Sequence, residues 1–158
     1  MLSFTRTGTL HIAPHVDVEV LPRHLAAGLR SLDASSVEVL GCNVSFTSGF
    51  FRPVSNWNIL VPFGSGTLMV DSVARQVRYS VDCRQLVLAA TIMVGLMSIF
   101  VLLSRIWQML LAIPFMWLWL VEGNLAIGIP RFEAFLSRTI ASTPPKRRPS
   151  TPSGLVGP

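Results

Sequence analysis

The chain has 158 residues, a mean hydropathy of +0.55, 13% charged residues and a formal net charge of +5. This length holds one small folded unit beside a membrane segment and excludes a second globular domain. The positive excess lies after residue 129, where five Lys and Arg residues accompany one Glu, so the folded part lacks the basic stripe of a nucleic-acid-binding surface.

The first 84 residues predict a small α+β domain with an antiparallel sheet and one helix. Leucines at helical spacing after Pro22 form the apolar stripe of an amphipathic helix. Alternation of apolar and polar residues predicts strands on both sides of a turn or bulge at Gly41, and Gly64–Gly66 reads as another turn. About five or six strands are predicted, over residues 3–12, 37–39, 44–46, 57–63, 67–70 and 76–81, with 16–21 as an optional short strand after the first.

Residues 86–129 are almost entirely apolar, and only Arg105 and Glu122 carry a charge there. A bilayer core roughly 30 Å thick requires about 20 apolar residues per helix, so this stretch predicts a transmembrane hairpin. A turn at 103–107 gives helices over 86–103 and 107–129. The alternative turn at Ile113–Pro114 gathers the tryptophans near the apex, and the first arrangement is favoured because it leaves two arms of sufficient length.

Glu122 and Asn124, with Arg105, are the polar candidates inside the apolar stretch. An ionisable residue in a membrane is costly, which makes Glu122 a candidate for a proton- or ion-linked site or for a clasp between helices. The alternative is that Glu122 lies near a membrane interface and that the helix is shorter than its apolar run.

Beyond Pro130, residues 131–141 predict a separate amphipathic helix lying on the membrane, and the Pro-rich segment 142–158 predicts disorder. The basic residues around the hairpin are expected at lipid headgroups and predict a multi-pass protein with both termini in the cytoplasm. The expected headgroup contacts are Arg84, Arg131, Arg138, Lys146, Arg147 and Arg148.

Catalytic, metal and cofactor motifs are not found in the sequence. His11, His15 and His24 lack the spacing of zinc ligands, and Asn43–Ser45 matches only a glycosylation pattern that is frequent by chance. Cys42 and Cys83 fit either two thiols in a reducing compartment or one bridge in an oxidising one, and the lack of an apolar leader favours thiols.

The sequence therefore predicts an integral membrane protein without enzymatic activity, which presents the small α+β domain to a protein partner or to lipid. Two alternatives are an oligomeric transporter or channel subunit that uses Glu122, and a membrane enzyme with a site at headgroup level. Membrane lipids are the expected partners, with a protein partner or a homo-oligomer left open, and nucleic acid is not expected.

Overall fold

The computed structural model describes residues 4–49, 59–104, 108 and 111–146. The strands form one antiparallel sheet in the order β1-β5-β4-β3-β2, which confirms the predicted α+β class. Three helices accompany the sheet, and two of them are long and apolar. The elements are β1 (Thr5–His11), α1 (Leu21–Ser31), β2 (Ser36–Leu40), β3 (Asn43–Thr47), β4 (Ser65–Asp71), β5 (Gln76–Asp82), α2 (Arg84–Leu103) and α3 (Ala112–Ala141).

The period-two pattern of the strands gives the sheet one apolar and one polar face. Side chains of β3, β4 and β5 that point to the apolar face are buried beneath α1 and the C-terminal half of α3. The register of the ladders places these residues in rows across the strands. The buried members are Val44, Phe46, Leu68, Val70, Val77, Tyr79 and Val81.

Two glycines on the apolar face leave room for the aromatic rings of neighbouring strands. Gly8 pairs with Tyr79 and Gly66 pairs with Phe46. A Cβ built on Gly8 would overlap the Tyr79 ring, and one on Gly66 would lie 2.6 Å from the Phe46 ring. The predicted turn at Gly64–Gly66 is therefore wrong in part, because Ser65 and Gly66 belong to β4 and Gly66 makes a cross-strand contact there.

Two predicted strands are absent from the described part of the chain. In the predicted strand 16–21, Val16 makes only an isolated antiparallel bridge with Pro145, and residues 18–20 form a turn before α1, which begins at Leu21 with Pro22 in its first turn. Of the predicted strand 57–63, residues 57 and 58 lie outside the described residues, and 59–62 form a turn closed by the Phe63 N–H donating to the Leu60 carbonyl. Proline at position 62 has no N–H for a ladder, which favours the turn.

The third helix differs most from the sequence prediction. The predicted break at Pro130 is wrong, because α3 runs unbroken through it for 30 residues, about 45 Å. Pro130 removes one main-chain hydrogen bond and crowds the carbonyl four residues before it, but one apolar stripe continues on both sides of it and its burial offsets this cost. This stripe consists of Val121, Leu125, Gly128, Phe132, Leu136 and Ile140, which are all buried.

Residues 131–141 are thus a core helix of the α+β domain, and their apolar side packs on the sheet instead of on a membrane surface. Phe132 has no exposed surface and lies 5.3 Å from Phe63, 5.7 Å from Tyr79 and 6.0 Å from Phe46, measured between ring centroids. Aromatic pairs at these separations add to the stabilisation that burial provides. Phe132 therefore fastens α3 to three segments of the domain at once.

The predicted disorder from residue 142 is wrong for 142–146. The Lys146 N–H donates to the His15 carbonyl at 3.1 Å, and the Asp17 N–H donates to the Pro144 carbonyl at 3.3 Å. Thr143 is buried and donates its hydroxyl to the Thr139 carbonyl. These bonds hold the segment against the loop that follows β1. The remainder of the predicted tail, 147–158, lies outside the described residues.

Removal of the Phe132 ring is expected to cost about 3–5 kcal/mol of unfolding free energy, because a fully buried aromatic side chain leaves a cavity. Chemical denaturation of Phe132→Ala in detergent micelles measures this loss. Ile127→Ala is the matched control, since Ile127 is on the same helix and 55% exposed. Equal losses in the two variants would contradict the role of Phe132 in holding α3 to the sheet.

Candidate functional site

The most unusual surface of the protein is the apolar exterior of α2 and of the N-terminal half of α3. Both helices are long and apolar enough to cross a membrane. In the most apolar 18-residue stretch of α2, only about one residue in ten is buried inside the protein. The core helix of a soluble domain, in contrast, buries its apolar side. Phe100, Leu103, Phe115 and Trp119 are each 67–80% exposed. Apolar surface of this extent indicates an apolar environment or a partner.

Helices α2 and α3 form an antiparallel hairpin. The Trp117 Nε1–H donates to Thr91 Oγ1 at 3.0 Å, and the Thr91 hydroxyl donates in turn to the Val87 carbonyl. Ala90 and Val94 of α2 are buried, as are Val121 and Leu125 of α3. Helix α2 ends at Leu103, as the favoured arrangement predicts, whereas α3 begins only at Ala112 and holds Pro114 in its first turn. The alternative turn at Ile113–Pro114 is therefore wrong.

The Trp117–Thr91 bond also fixes the level of the polar residues along the hairpin. At 1.5 Å per residue, Arg84 is about 10 Å below Thr91 and Glu122 is about 8 Å below Trp117. Glu122 is therefore within about one helical turn of the level of Arg84, at the end of the hairpin that joins the domain. Glu122 and Asn124 are both exposed, and the Asn124 side-chain amide donates to the Leu120 carbonyl. Arg105 lies outside the described residues.

The basic residues expected at headgroups lie at different distances from this level. Arg84 is at the first position of α2, with its Nε 3.7 Å from an oxygen of Asp82, and its side chain is 67% exposed. Along the axis of α3, Arg131 is about 14 Å from Glu122 and Arg138 about 24 Å. Lys146 follows the far end of the helix, and Arg147 and Arg148 lie outside the described residues.

A carboxylate that the sequence analysis did not single out connects α3 to the sheet. The Tyr79 hydroxyl donates to Glu133 Oε1 at 2.5 Å, and Tyr79 is only 4% exposed. Burial raises the pKa of Tyr79 well above its usual value, and the hydrogen bond to Glu133 and the charge of that carboxylate raise the pKa further. Glu133 directly follows Phe132, which makes it the polar member of the same junction.

The polar face of the sheet is rich in hydroxyl groups. Two shallow depressions of about 390 Å³ and 340 Å³ lie on it. The residues of the polar face that line them with hydroxyl groups are Thr5, Thr7, Thr9, Ser45, Thr47, Ser65, Thr67 and Ser80. The charged residues that line the two depressions are Arg78 and Asp82. This face offers donors and acceptors but no nucleophile that is paired with a base.

The histidines do not form a catalytic or metal-binding set. Across the described residues, His, Cys, Asp and Glu form no group of three that could hold a metal ion. His24 Nε2 is 3.1 Å from the Ser142 hydroxyl oxygen, and that hydroxyl donates its own proton to the Thr139 carbonyl. The ring nitrogen therefore acts as the donor in this pair. His24 joins α1 to the end of α3 and does not activate a serine.

The two cysteines are free and lie at opposite ends of the sheet. Cys42 is exposed in the turn between β2 and β3, and Cys83 is buried before α2. The strands separate them by about 20 Å, whereas a disulfide requires Cα atoms within about 7 Å. Burial raises the pKa of the Cys83 thiol, and the charge of Asp82 adds to this effect. Cys42 is consequently the thiol that a reagent reaches.

Comparison of the chain with protein-family models, with curated proteins and with solved structures finds no match.

The Tyr79–Glu133 bond predicts a specific loss of stability in alkali. Since folding raises the pKa of Tyr79, its contribution is complete below about pH 10 and is lost as pH rises towards the folded value. The parent should lose up to about 1.4 kcal/mol of unfolding free energy per pH unit above pH 10 more than Tyr79→Phe does. Tyr79 is the only tyrosine of the chain. Parallel pH profiles of the two proteins would contradict a contribution of this hydrogen bond to stability.

Proposed function

We propose that the protein is a membrane-anchored interaction protein, in which the α2–α3 hairpin crosses the bilayer and holds the α+β domain at its surface. One observation carries the proposal: both arms of the apolar hairpin are fastened to the same sheet. Helix α2 begins two residues after β5, and the C-terminal half of α3 packs on the buried face of that sheet. A segment that leaves and re-enters one domain crosses a membrane an even number of times.

The length of α2 supports this arrangement. From Leu86 to Leu103, α2 provides 18 residues, about 27 Å of helix, close to the thickness of a hydrocarbon core. Arg84 and Glu122 are then at the level of the headgroups, where charges are well tolerated. Arg84 is the residue best placed to bind lipid phosphate, whereas Arg138 and Lys146 are on the part of the domain that points away from the bilayer.

We further propose that the domain and both termini are cytoplasmic. Arg75, Arg78 and Arg84 precede the hairpin, and Arg131 and Arg138 follow it, within the distance over which basic residues retain a flank in the cytoplasm. The transporter alternative has less support, because Glu122 and Asn124 are not gathered in an interior. The enzyme alternative has no support from a set of nucleophile, base and orienting group in the described residues.

A charge in the middle of α2 should weaken membrane integration. Leu96 is 62% exposed, and an arginine at the centre of a spanning helix costs about 2.5–3.5 kcal/mol. Leu96→Arg should therefore reduce the fraction of protein that resists alkaline carbonate extraction. Leu40→Arg is the control, since Leu40 is 74% exposed on the sheet. Unchanged extraction of Leu96→Arg would contradict the membrane-spanning hairpin.

Replacement of Glu122 distinguishes the proposed membrane anchor from the alternative of a transporter or channel subunit. At headgroup level the carboxylate needs no buried partner, so Glu122→Gln and Glu122→Leu should both integrate and assemble like the parent. Crosslinking in native membranes and a growth assay measure these properties. A loss in Glu122→Leu alone would indicate a hydrogen-bonded clasp, and an equal loss of activity in both variants would indicate a residue that must titrate.

A further inference from the structure

The two edge strands of the sheet are protected to different degrees. Exposed edges carry unpaired N–H and C=O groups, and proteins commonly shield them with short strands, charged side chains or covering elements. Strand β2 has five residues, packs beside α1 and receives a hydrogen bond from the Arg30 guanidinium to the Val37 carbonyl at 3.3 Å. Strand β1 has seven residues without proline or bulge. The described chain therefore protects β2 and leaves β1 open.

The hydrogen bonds that flank β1 establish which of its groups point outward. The Ile12 N–H donates to the Arg75 carbonyl, and the Cys83 N–H donates to the Phe4 carbonyl. In an antiparallel ladder bonded residues alternate with unbonded ones, so Phe4, Ile12 and every second residue between them bond to β5. The N–H and C=O groups of the intervening residues face away from the sheet. These residues are Thr5, Thr7, Thr9 and His11, and no hydrogen bond from the described chain satisfies their main-chain groups.

A second copy of the chain does not fit this edge, an argument that depends on the proposed membrane anchor. Antiparallel pairing of two β1 strands requires a twofold axis perpendicular to the sheet. Helix α3 lies along the sheet and continues into the hairpin. The axis would therefore direct the two hairpins in opposite directions, and both could not enter one bilayer.

The chain after Lys146 does not fit either. Lys146 lies beside His15, close to the end of β1, so the following residues are near enough to reach the edge. However, Pro149 and Pro152 are three residues apart, and a strand repeats every two. One of these prolines would always present a nitrogen without a proton to β1. The longest proline-free run in 147–158 has five residues, whereas β1 has seven.

We propose that the outer edge of β1 binds an extended segment of a partner protein as a sixth, antiparallel strand. Main-chain hydrogen bonds give such additions their affinity, and alternate side chains give them specificity. On the apolar face of the sheet, which the helices cover, side chains of the added strand would lie beside Arg6, Gly8 and Leu10. Arg6 is exposed and Leu10 is half-buried, so the segment carries an acidic residue next to Arg6 and an apolar one next to Leu10. On the polar face, the segment carries polar residues beside Thr5, Thr7 and Thr9.

The test uses the full chain in phosphatidylcholine nanodiscs and the capped peptide probe Thr-Val-Thr-Val-Thr-Glu-Thr. Amide hydrogen exchange is measured residue by residue with and without the probe. The expected result is at least tenfold slower exchange at Thr5, Thr7, Thr9 and His11, with no change at Arg6 and Gly8, whose N–H groups already bond to β5. A probe that is N-methylated at its third and fifth residues lacks the two central donors of the four that face β1, and its methyl groups keep the strands apart, so it should have no effect.

Two variants separate the contribution of the Thr7 main-chain N–H to probe binding from that of the Thr7 side chain. Thr7→Pro removes an outward N–H that β5 does not use, so the sheet tolerates it, and it should reduce probe binding at least tenfold. Thr7→Val keeps the N–H and should bind like the parent. The N-methylated probe preserves the test if Thr7→Pro fails to fold.

The proposal would be overturned if the probe does not slow amide exchange at the outward residues of β1, or if the N-methylated probe slows it equally. It would also be overturned if exchange at these residues is already slow without any probe and slows further as the protein-to-lipid ratio increases. The fourth contradicting result is slow exchange without any probe that is lost when the chain is truncated after Lys146. The last two would assign the edge to a second copy or to the chain's own C-terminal residues. A chain that fails to enter nanodiscs would instead contradict the proposed anchor, so the two failures are distinguishable.

Discussion

The structure depends on one helix, α3, whose C-terminal half is buried and whose N-terminal half is largely exposed. The C-terminal half of α3 supplies Phe132 and Leu136 to the core of the α+β domain, and both are fully buried. The N-terminal half carries Phe115 and Trp119, which are exposed. A sheet of five short strands has one face to cover, and α1 is only 11 residues long, so the domain requires α3 to complete its core. The apolar hairpin is therefore joined to the domain at both ends, through β5 before α2 and through the C-terminal half of α3.

The junction between the two halves explains how the domain can hold its orientation towards the hairpin. Phe132 lies among Phe46, Phe63 and Tyr79, and the neighbouring Glu133 accepts the Tyr79 hydroxyl bond. Aromatic packing and a part-buried hydrogen bond on adjacent residues restrict both the sliding and the rotation of α3. A domain fixed in this way presents the open edge of β1 and the hydroxyl-rich face in a defined direction.

Much of the fold is predictable from the sequence because it depends on local periodicity. Leu25 and Leu29 identify α1, the alternating residues of β1 and β5 identify strands, and the apolar run before Leu103 identifies α2. The sequence does not predict the continuation of α3 through Pro130, because proline ordinarily interrupts a helix, although the buried stripe from Val121 to Ile140 keeps its helical spacing across it. The roles of Gly66 and Glu133 depend on contacts with residues distant in sequence, Phe46 and Tyr79, which periodicity does not reveal.

The proposed arrangement of the chain across a membrane is tested most directly by thiol labelling of sealed vesicles from each side. The exposed native Cys42 reports the domain, while Ser104→Cys and Lys146→Cys, each in a Cys42→Ser background, report the far end of α2 and the end of the described chain. An impermeant maleimide should label Cys42 and the cysteine at 146 from one side and the cysteine at 104 from the other. Labelling of positions 42 and 146 from opposite sides, or of all three from the same side, would contradict a hairpin that leaves and re-enters one domain.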